Sequence, residues 1–259
     1  MHMEFIISNS CFTADSFPAM AEFPKEYGIE VQIEFGTEYY WKTCLKKVMD
    51  GRIGALTIHG PFTNVDLAAD GIDDNELLNY YQWSFDMYRR FGATQMVIHP
   101  DGKINAPVTE AERAQMRMRA TGRIKKLAAM ARDSGVTLLI ENLRPKGYGL
   151  VFDQQAFIEL FSQVPDVDCL IDTGHLLLSG WDFEQVLTSL ADRIKAYHID
   201  DTRGVLDEHL PVDFGIIDWK NFFALYKKNT PAAALVLEYK GVTVDEILKN
   251  ADRIREYLK

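Results

Sequence analysis

Eight short apolar runs recur along this chain, and segments with helical spacing separate them. Each run is six or seven residues long and rich in Val, Ile and Leu, which is typical of a strand buried on both faces. Strands that alternate with helices form a parallel sheet. The predicted strands cover residues 4–9, 29–35, 54–59, 93–99, 136–141, 167–172, 194–200 and 233–238.

Local signals mark where the intervening helices begin and end. Thr109 and Thr243 each stand three residues before a glutamate, which is the capping-box pattern. Gly92 and Gly135 follow helical runs, where a C-terminal glycine is favoured. The clearest helices are predicted over 74–91, 109–134, 153–163 and 243–258, with further N-caps at Asp73, Asp153 and Asp182.

The number of βα units and the chain length favour a closed barrel. The chain has 259 residues, and an eight-stranded α/β barrel typically has roughly 250. We find no linker or low-complexity stretch, so we predict an α/β fold with one (β/α)₈ TIM-barrel domain over residues 1–259. The alternative is an open Rossmann-like sheet. Against it, the first strand–helix turn, SNSCFTADS, lacks the glycine fingerprint of dinucleotide sites.

The composition excludes several classes of protein. A net charge of −10 argues against a protein that coats nucleic acid, although an enzyme gripping DNA locally stays open. No apolar run reaches the roughly 18 residues of a transmembrane helix. The first residues lack the pattern of a secretory signal, and the three cysteines lack metal-type spacing. We therefore expect a cytoplasmic protein without membrane contacts.

Six consecutive apolar runs, from the third to the eighth, carry metal-capable side chains at or near their ends. The carboxyl ends of barrel strands meet on one face, where active sites lie. A single such residue is more often a cap or a loop residue. However, five of the six histidines lie at or after the ends of these runs, if His209 in the loop after the seventh run is included, and this regularity favours a shared site. The side chains are His59, His99, Glu141, Asp172 with His175 after it, His198 and Glu238.

The loop after the seventh strand, DTRGVLDEHLPVDFG, adds Asp207 and His209. An extended Asp-x-His step can present both side chains to one ion. Imidazole and carboxylate ligands without thiolate suit Zn²⁺, Mn²⁺, Fe²⁺ or Co²⁺. The sequence therefore predicts a divalent-metal site at the mouth of the barrel.

From residue 29 to residue 245 the chain resembles the xylose isomerase-like barrel superfamily. The resemblance rests on seven short motifs in order along the chain: IHGPF, IHPDG, IEN, IDTGH, HIDD, DEHLPVDFGIIDW and LEYK. This superfamily contains sugar isomerases and epimerases, and also apurinic-site nucleases of the endonuclease IV type. The resemblance therefore implies a metalloenzyme with a TIM-barrel fold.

The two branches imply different uses of the same residues. Likeness to the isomerases implies one ion, with Glu141 and Glu238 as catalytic proton carriers on opposite faces and His175 on a substrate hydroxyl. Likeness to endonuclease IV implies three zinc ions. The single ion would be held by Glu141, Asp172, His198 and Glu238. The three zinc ions would be held by His59, His99 and Glu141; by Glu141, Asp172, His198 and Glu238; and by His175, Asp207 and His209.

Several segments favour the isomerase branch. The loop SNSCFTADSF contains no Arg or Lys, EFGTEYYW is acidic and aromatic, and ENLRPKGYG departs from the nuclease pattern. VDFG departs from the G-x-G spacing frequent in both branches, which leaves the conformation of that loop open. We interpret the chain as an isomerase or epimerase of sugars or sugar phosphates that uses one to three Mn²⁺ or Zn²⁺ ions. An apurinic-site endonuclease and an inactive metal- or sugar-binding barrel are the alternatives.

The expected partner is a small sugar, and a homo-oligomer stays open because nothing in the sequence marks an interface. The basic stretch over 113–126 is predicted to be a solvated helix face. Four aromatic residues are candidates for the pocket or, equally, for the core: Trp41, Phe62, Tyr148 and Trp181. Four cations lie in loops where they would bind a phosphorylated substrate or, equally, would be ordinary solvated surface residues: Arg144, Lys146, Arg203 and Lys240.

Overall fold

The computed structural model describes residues 5–12, 18–34, 36–63 and 65–259. In this part of the chain eight parallel strands follow one another around a closed barrel, and the last pairs with the first. The predicted TIM barrel is confirmed, and the open Rossmann-like alternative is wrong. The strands are β1 (Phe5–Ser8), β2 (Gly28–Gln32), β3 (Leu56–His59), β4 (Gln95–Ile98), β5 (Leu138–Glu141), β6 (Asp168–Asp172), β7 (Ile194–Ile199) and β8 (Ala234–Leu237).

The helices surround the barrel, and their ends form as predicted. Thr109 and Thr243 make complete capping boxes, and Gly92 and Gly135 adopt left-handed φ values of 68° and 69°. No helix in the described ranges is both long and apolar enough to cross a membrane. The helices are α1 (Ala19–Glu22), α2 (Glu38–Met49), α3 (Asp74–Phe91), α4 (Glu110–Ser134), α5 (Gln154–Gln163), α6 (Thr173–Leu178), α7 (Phe183–Ser189), α8 (Trp219–Asn229) and α9 (Val244–Leu258).

Successive strand residues face alternately into the barrel and toward the helices, because side chains along a strand repeat every two residues. The inward residues form a small apolar core of their own. For several of these core residues, the residue two positions later in the sequence also faces inward and carries a polar side chain. The polar groups therefore lie directly above the apolar layer. The inner core consists of Ile6, Val97, Leu139, Leu170, Ala196, Ala234 and Val236.

The basic stretch on α4 is only in part the solvated face that its sequence predicts, because Lys125 and Lys126 are exposed whereas Arg123 is buried. Arg123 is only 5% exposed. Its guanidinium donates hydrogen bonds to the carbonyl oxygens of Leu67 and Ala69, at 2.9 and 2.7 Å, and pairs with Asp74 at 2.8 Å. This helix therefore anchors the loop between β3 and α3, which forms one wall of the barrel mouth.

Replacing Arg123 tests this anchoring. We expect Arg123→Met to lower the free energy of unfolding by about 3 kcal/mol, because it leaves the carbonyl oxygens of Leu67 and Ala69 without their donor. The melting temperature should fall by roughly 6–12 °C in thermal denaturation. Arg132→Met is the control, since Arg132 is 62% exposed and pairs with Asp166 at the surface. It should cost less than about 1 kcal/mol. Equal losses in both variants would contradict the anchoring role.

Candidate metal centre

Five histidines and six carboxyl groups meet at the carboxyl end of the barrel. All are buried except His99 and Asp207, which are partly exposed. All nine metal-site residues predicted from the sequence lie in this cluster, together with two that the sequence reading missed. The histidines are His59, His99, His175, His198 and His209, and the carboxyl groups are those of Glu30, Glu141, Asp172, Asp200, Asp207 and Glu238.

Glu141 stands at the centre of the cluster. Its Oε2 lies 3.2 Å from Nε2 of both His59 and His99. Its Oε1 lies 3.2 Å from Nδ1 of His175 and 3.5 Å from Nδ1 of His198. One carboxylate thus faces four imidazole rings from three other strand ends and the start of α6.

A second group of acids surrounds Nδ1 of His198. This atom lies 3.1 Å from Oε2 of Glu238, 3.5 Å from Oε1 of Glu141 and 3.8 Å from Oδ2 of Asp172. His198 and Asp172 are fully buried, and neither His198 Nδ1 nor Asp172 Oδ2 has a hydrogen-bond partner in the described part of the chain. Buried polar atoms without partners are costly, so this arrangement suits a cation at their centre.

The third group lies on the loop between β7 and α8. Asp207 Oδ1 is 3.3 Å from His175 Nε2, and its Oδ2 is 3.3 Å from His209 Nε2. Asp201 organises this loop by accepting hydrogen bonds from the backbone of Gly215 and the indole of Trp219, at 2.9 and 2.8 Å. These hydrogen bonds therefore fix the conformation of the loop that contains VDFG, which the sequence analysis left open.

Hydrogen bonds set which nitrogen of four rings carries the proton. In each ring one nitrogen donates to an acceptor, and the other nitrogen faces carboxylate oxygens. A proton or a metal cation between that nitrogen and the carboxylates satisfies both, and carboxylate-to-histidine bonds of this kind orient metal ligands. The donating atoms and their acceptors are His59 Nδ1 to Gly60 O at 2.9 Å, His175 Nδ1 to Asn142 O at 3.1 Å, His209 Nδ1 to Glu238 O at 3.0 Å and His198 Nε2 to Glu30 Oε1 at 2.9 Å.

Electrostatics make the cluster strongly attractive to positive charge. Burial opposes the charged form of His175 and His198, yet the surrounding carboxylates raise the pKa of each ring well above its usual value. The pKa of His209 rises to about 9 although burial opposes it, with Asp207 as the main cause of the rise. His99 differs, because burial lowers its pKa to about 4 and keeps it neutral. A divalent cation can take the place of protons on the other rings.

Geometry and donor chemistry fit a divalent cation at each of the three groups. Within the described residues, the sets whose ligand atoms approach one another closely include His59, His99 and Glu141, and His175, Asp207 and His209. Imidazole nitrogens and carboxylate oxygens are the ligands of zinc and related ions. We propose that the nine predicted residues bind divalent cations.

Glu30 is a participant that the sequence reading missed. It lies in the middle of β2, is 1% exposed, and accepts hydrogen bonds from His198 Nε2 at 2.9 Å and from the Thr57 hydroxyl at 3.1 Å. The sequence signal that could have identified Glu30 is a carboxylate inside an apolar run. Because position 30 has the inward parity of its strand, its side chain reaches His198 across the barrel.

Asp200 is the second missed residue, although it belongs to the HIDD motif. It is fully buried and accepts a hydrogen bond from the Gly174 amide at 3.0 Å. Burial and the neighbouring Asp172 raise the pKa of Asp200 well above its usual value. Gly174 is required beside it, since a Cβ there would lie 2.5 Å from Asp200 Oδ2.

The predicted substrate cations divide between the site and the surface. Lys146 and Lys240 line a cavity of about 170 Å³ over the cluster, which we call the metal cavity. Arg144 pairs with Asp207 at 2.9 Å, at the edge of the third group. Arg203 is 64% exposed and pairs with Glu208, and it does not line this cavity.

Of the four candidate aromatic residues, Phe62 lies at the site. Its ring is 5.1 Å from that of His59 and it lines the metal cavity. Trp41 and Trp181 are buried in the core between barrel and helices, and Tyr148 is exposed. The packing interpretation therefore holds for the two tryptophans.

Comparison with known families decides the membership of the chain. The model of the xylose isomerase-like TIM barrel family matches residues 15–259. This chain belongs to that family. An uncharacterised protein of Methanocaldococcus jannaschii is 28% identical over 125 residues, which are 48% of this chain and 47% of that protein. The match thus spans about half the length of that relative.

Solved structures share the fold over almost the whole chain. A D-tagatose 3-epimerase-like protein superposes with a TM-score of 0.83 at 18% identity, covering 99% of this chain and 97% of its own. A Thermus thermophilus protein soaked with ZnCl₂ gives 0.74 at 20% identity, with 99% of both chains covered. A D-psicose 3-epimerase in the presence of D-fructose gives 0.75 at 17%, covering 99% and 97%. At these identities the likeness shows the fold alone.

Replacing Glu30 tests whether it orients a metal ligand. We expect Glu30→Gln to weaken zinc binding by about 10- to 100-fold, because the charged acceptor that fixes the His198 ring is lost. Affinity is measured by competition with a chromophoric chelator. Glu26→Gln is the control, since Glu26 is exposed and precedes the same strand at the other end of the barrel. Unchanged affinity in Glu30→Gln would show that the Glu30–His198 bond is structural only.

Proposed function

We propose that this protein is a divalent-metal-dependent isomerase or epimerase of sugars. The placement of two glutamates carries the proposal. Glu141 and Glu238 end strands three positions apart around the barrel, and both reach Nδ1 of His198, at 3.5 and 3.1 Å. Both also line the metal cavity, so a small substrate bound there lies between two carboxylates.

This pair suits the transfer of a proton at the carbon next to a carbonyl group. Histidines hold the pKa of both glutamates below the usual value, against the opposing effect of burial, so both are ionised and can accept a proton. One carboxylate removes the proton from one face of the substrate, and the carboxylic acid so formed returns it at the adjacent carbon in an isomerisation. In an epimerisation the other carboxyl group, after taking a proton from solvent, delivers it to the opposite face of the same carbon. A divalent ion held by Glu141, Asp172, His198 and Glu238 would supply Lewis-acid stabilisation of the negative charge that develops.

Neighbouring side chains orient one of the two glutamates. Gln32 Nε2 donates a hydrogen bond to Glu238 Oε1 at 3.1 Å, and the Ser8 hydroxyl contributes a longer one at 3.4 Å. Phe62 offers an apolar surface for sugar carbons, and Lys240 offers a donor for their hydroxyl groups. These contacts hold Glu238 in place while its other oxygen, Oε2, lies 3.1 Å from Nδ1 of His198.

The structural relatives support this choice of substrate. Two of them carry the names of ketose 3-epimerases, one with D-fructose present, and another was soaked with ZnCl₂. They favour a ketose as substrate and make Zn²⁺ a candidate alongside Mn²⁺. The metal cavity of about 170 Å³ suits a small ligand better than a polymer.

Phosphodiester hydrolysis is a second candidate, and one observation favours it. One ion suffices for the proposed proton transfer, whereas the groups around His59 and around Asp207 supply ligands for two more. Clustered metal ions hydrolyse phosphodiesters in many enzymes. The net charge of −10 speaks against a nucleic acid as the substrate. Under our proposal, duplex DNA with an abasic site stays intact with the zinc-loaded protein, and cleavage would support the nuclease instead.

Replacing the paired glutamates tests the proposed reaction. We expect the metal-loaded protein to exchange the proton next to the carbonyl of a ketose with solvent deuterium, as followed by NMR across D-fructose, D-psicose and D-tagatose. Glu141→Gln and Glu238→Gln should each slow exchange by about 10²- to 10⁴-fold, because each removes a proton carrier.

Glu184→Gln on α7 is the matched control, since this glutamate is exposed and does not line the metal cavity. It should exchange at the wild-type rate. Metal content is measured on every variant, so that loss of a proton carrier is separated from loss of a ligand. Exchange that persists in a metal-loaded Glu141→Gln and Glu238→Gln double variant would contradict the proposed roles.

A further inference from the structure

Arg144 brings a permanent positive charge into direct contact with the metal cluster. Its Nε lies 2.9 Å from Asp207 Oδ2, the oxygen that also faces His209 Nε2 at 3.3 Å. In the described part of the chain, no other Lys or Arg forms an ion pair with a carboxyl group of the cluster. The contact falls on the third group, which consists of His175, Asp207 and His209.

The three groups differ in charge once this ion pair is counted. Glu141 gives one negative charge to the first group, which it forms with two histidines. Three carboxylates, those of Glu141, Asp172 and Glu238, surround Nδ1 of the histidine in the second group. The third group has a single carboxylate of its own, Asp207, and Arg144 balances it. With neutral rings, the ligand residues of this group and their basic partner therefore sum to zero.

We propose that Arg144 competes with Zn²⁺ for Asp207, so that the third group binds Zn²⁺ more weakly than the other two. The guanidinium occupies one of the two oxygens that an ion would use, and it repels a second cation beside it. This inference rests on the metal centre assigned to the proposed function, and it sets the order in which the groups of that centre fill.

A guanidinium cannot give way to a metal ion as a protonated imidazole does. Protons on the rings leave when a metal ion takes their place. Arg144 keeps its proton at any ordinary pH. A metal ion that reaches Asp207 must therefore displace the whole side chain or bind next to its charge.

Arg144 is also held against Asp207 by the start of its own loop. Two residues earlier, the side chain of Asn142 donates a hydrogen bond to the Asp172 carbonyl at 3.1 Å and accepts one from the Asp172 amide at 2.8 Å. The Nε atom of Arg144 is buried and has no hydrogen-bond partner among the described residues. Departure from Asp207 would take the counter-charge away from this buried atom, which is costly.

The competition separates the two candidate reactions. At limiting zinc the first and second groups, which share Glu141, fill before the third. The second group alone holds the ion that the proposed proton transfer uses. A state with three ions, as hydrolysis by a full cluster would use, requires Arg144 to leave Asp207.

Zinc titration of the metal-free full chain tests the inference, with a chromophoric chelator as competitor and native mass spectrometry to count the bound ions. We expect Arg144→Met to tighten the weakest Zn²⁺ site by about tenfold, the effect of removing a unit charge roughly 5 Å from a dication at a dielectric near that of water. The tighter sites should keep their affinities. A misfolded variant would lose sites, so a gain in affinity also shows that the variant is folded.

Arg144→Lys and Arg203→Met are the matched controls. Arg144→Lys keeps the positive charge and should keep the weakest site close to its wild-type affinity. Arg203→Met removes the same charge from the loop that carries Asp207, but Arg203 is 64% exposed and pairs with Glu208. It should leave every zinc affinity unchanged. Adding His209→Gln to Arg144→Met should abolish the gain, which places it in the third group.

Several results would overturn the inference. These are a weakest site that is unchanged or weakened in Arg144→Met, an equal gain in Arg203→Met, and a gain that survives His209→Gln. A wild type that binds no zinc would overturn the metal centre together with the inference.

Proton exchange followed by NMR separates this inference from the proposed function. A weakest zinc site that tightens in Arg144→Met, without exchange of any ketose, would support the competition and contradict the isomerase. Ketose exchange by a wild type whose zinc affinities do not respond to Arg144→Met would support the isomerase and overturn the competition.

Discussion

Glu141 lies buried among four imidazole rings, and the rest of the site is arranged around this contact. Its two oxygens face His59 and His99 on one side and His175 and His198 on the other. Burying this much charge is favourable only if opposite charges and hydrogen bonds compensate it. The surrounding acids therefore favour positive charge at this place, carried by protons on the rings or by a metal ion.

The barrel supplies this arrangement through the two-residue repeat of its strands. Leu139 and Leu170 fill the interior, and the next inward positions, Glu141 and Asp172, rise into the mouth. An apolar layer thus seals the site from below and lowers the local dielectric, which strengthens every charge interaction above it. The loops are held by charged groups of their own, Arg123 on one side of the mouth and Asp201 on the other.

Much of the fold and of the site could be predicted from the sequence, because both follow from local patterns. Apolar runs give the strands, and a polar residue that ends such a run has a known place in a barrel. Glu30 escaped prediction because its partner His198 is 168 residues away and meets it only when the barrel closes. Arg144 lies at the edge of the site and Arg203 at the surface. This difference depends on loop conformation, which the spacing of apolar residues does not predict. Arg123 was misjudged because its burial depends on a loop from another unit folding over it.

Anomalous diffraction from crystals grown with ZnCl₂, recorded at the zinc absorption edge, tests the central claim most directly. The account predicts a peak bonded to Nδ1 of His198 and to carboxylate oxygens of Glu141, Asp172 and Glu238, at about 2.0–2.2 Å. Any further ions should bond to Nε2 of His59 and His99, or of His175 and His209. Absence of a peak in the cluster, or zinc bonded to the nitrogens that face Glu30 or the backbone carbonyls, would contradict it.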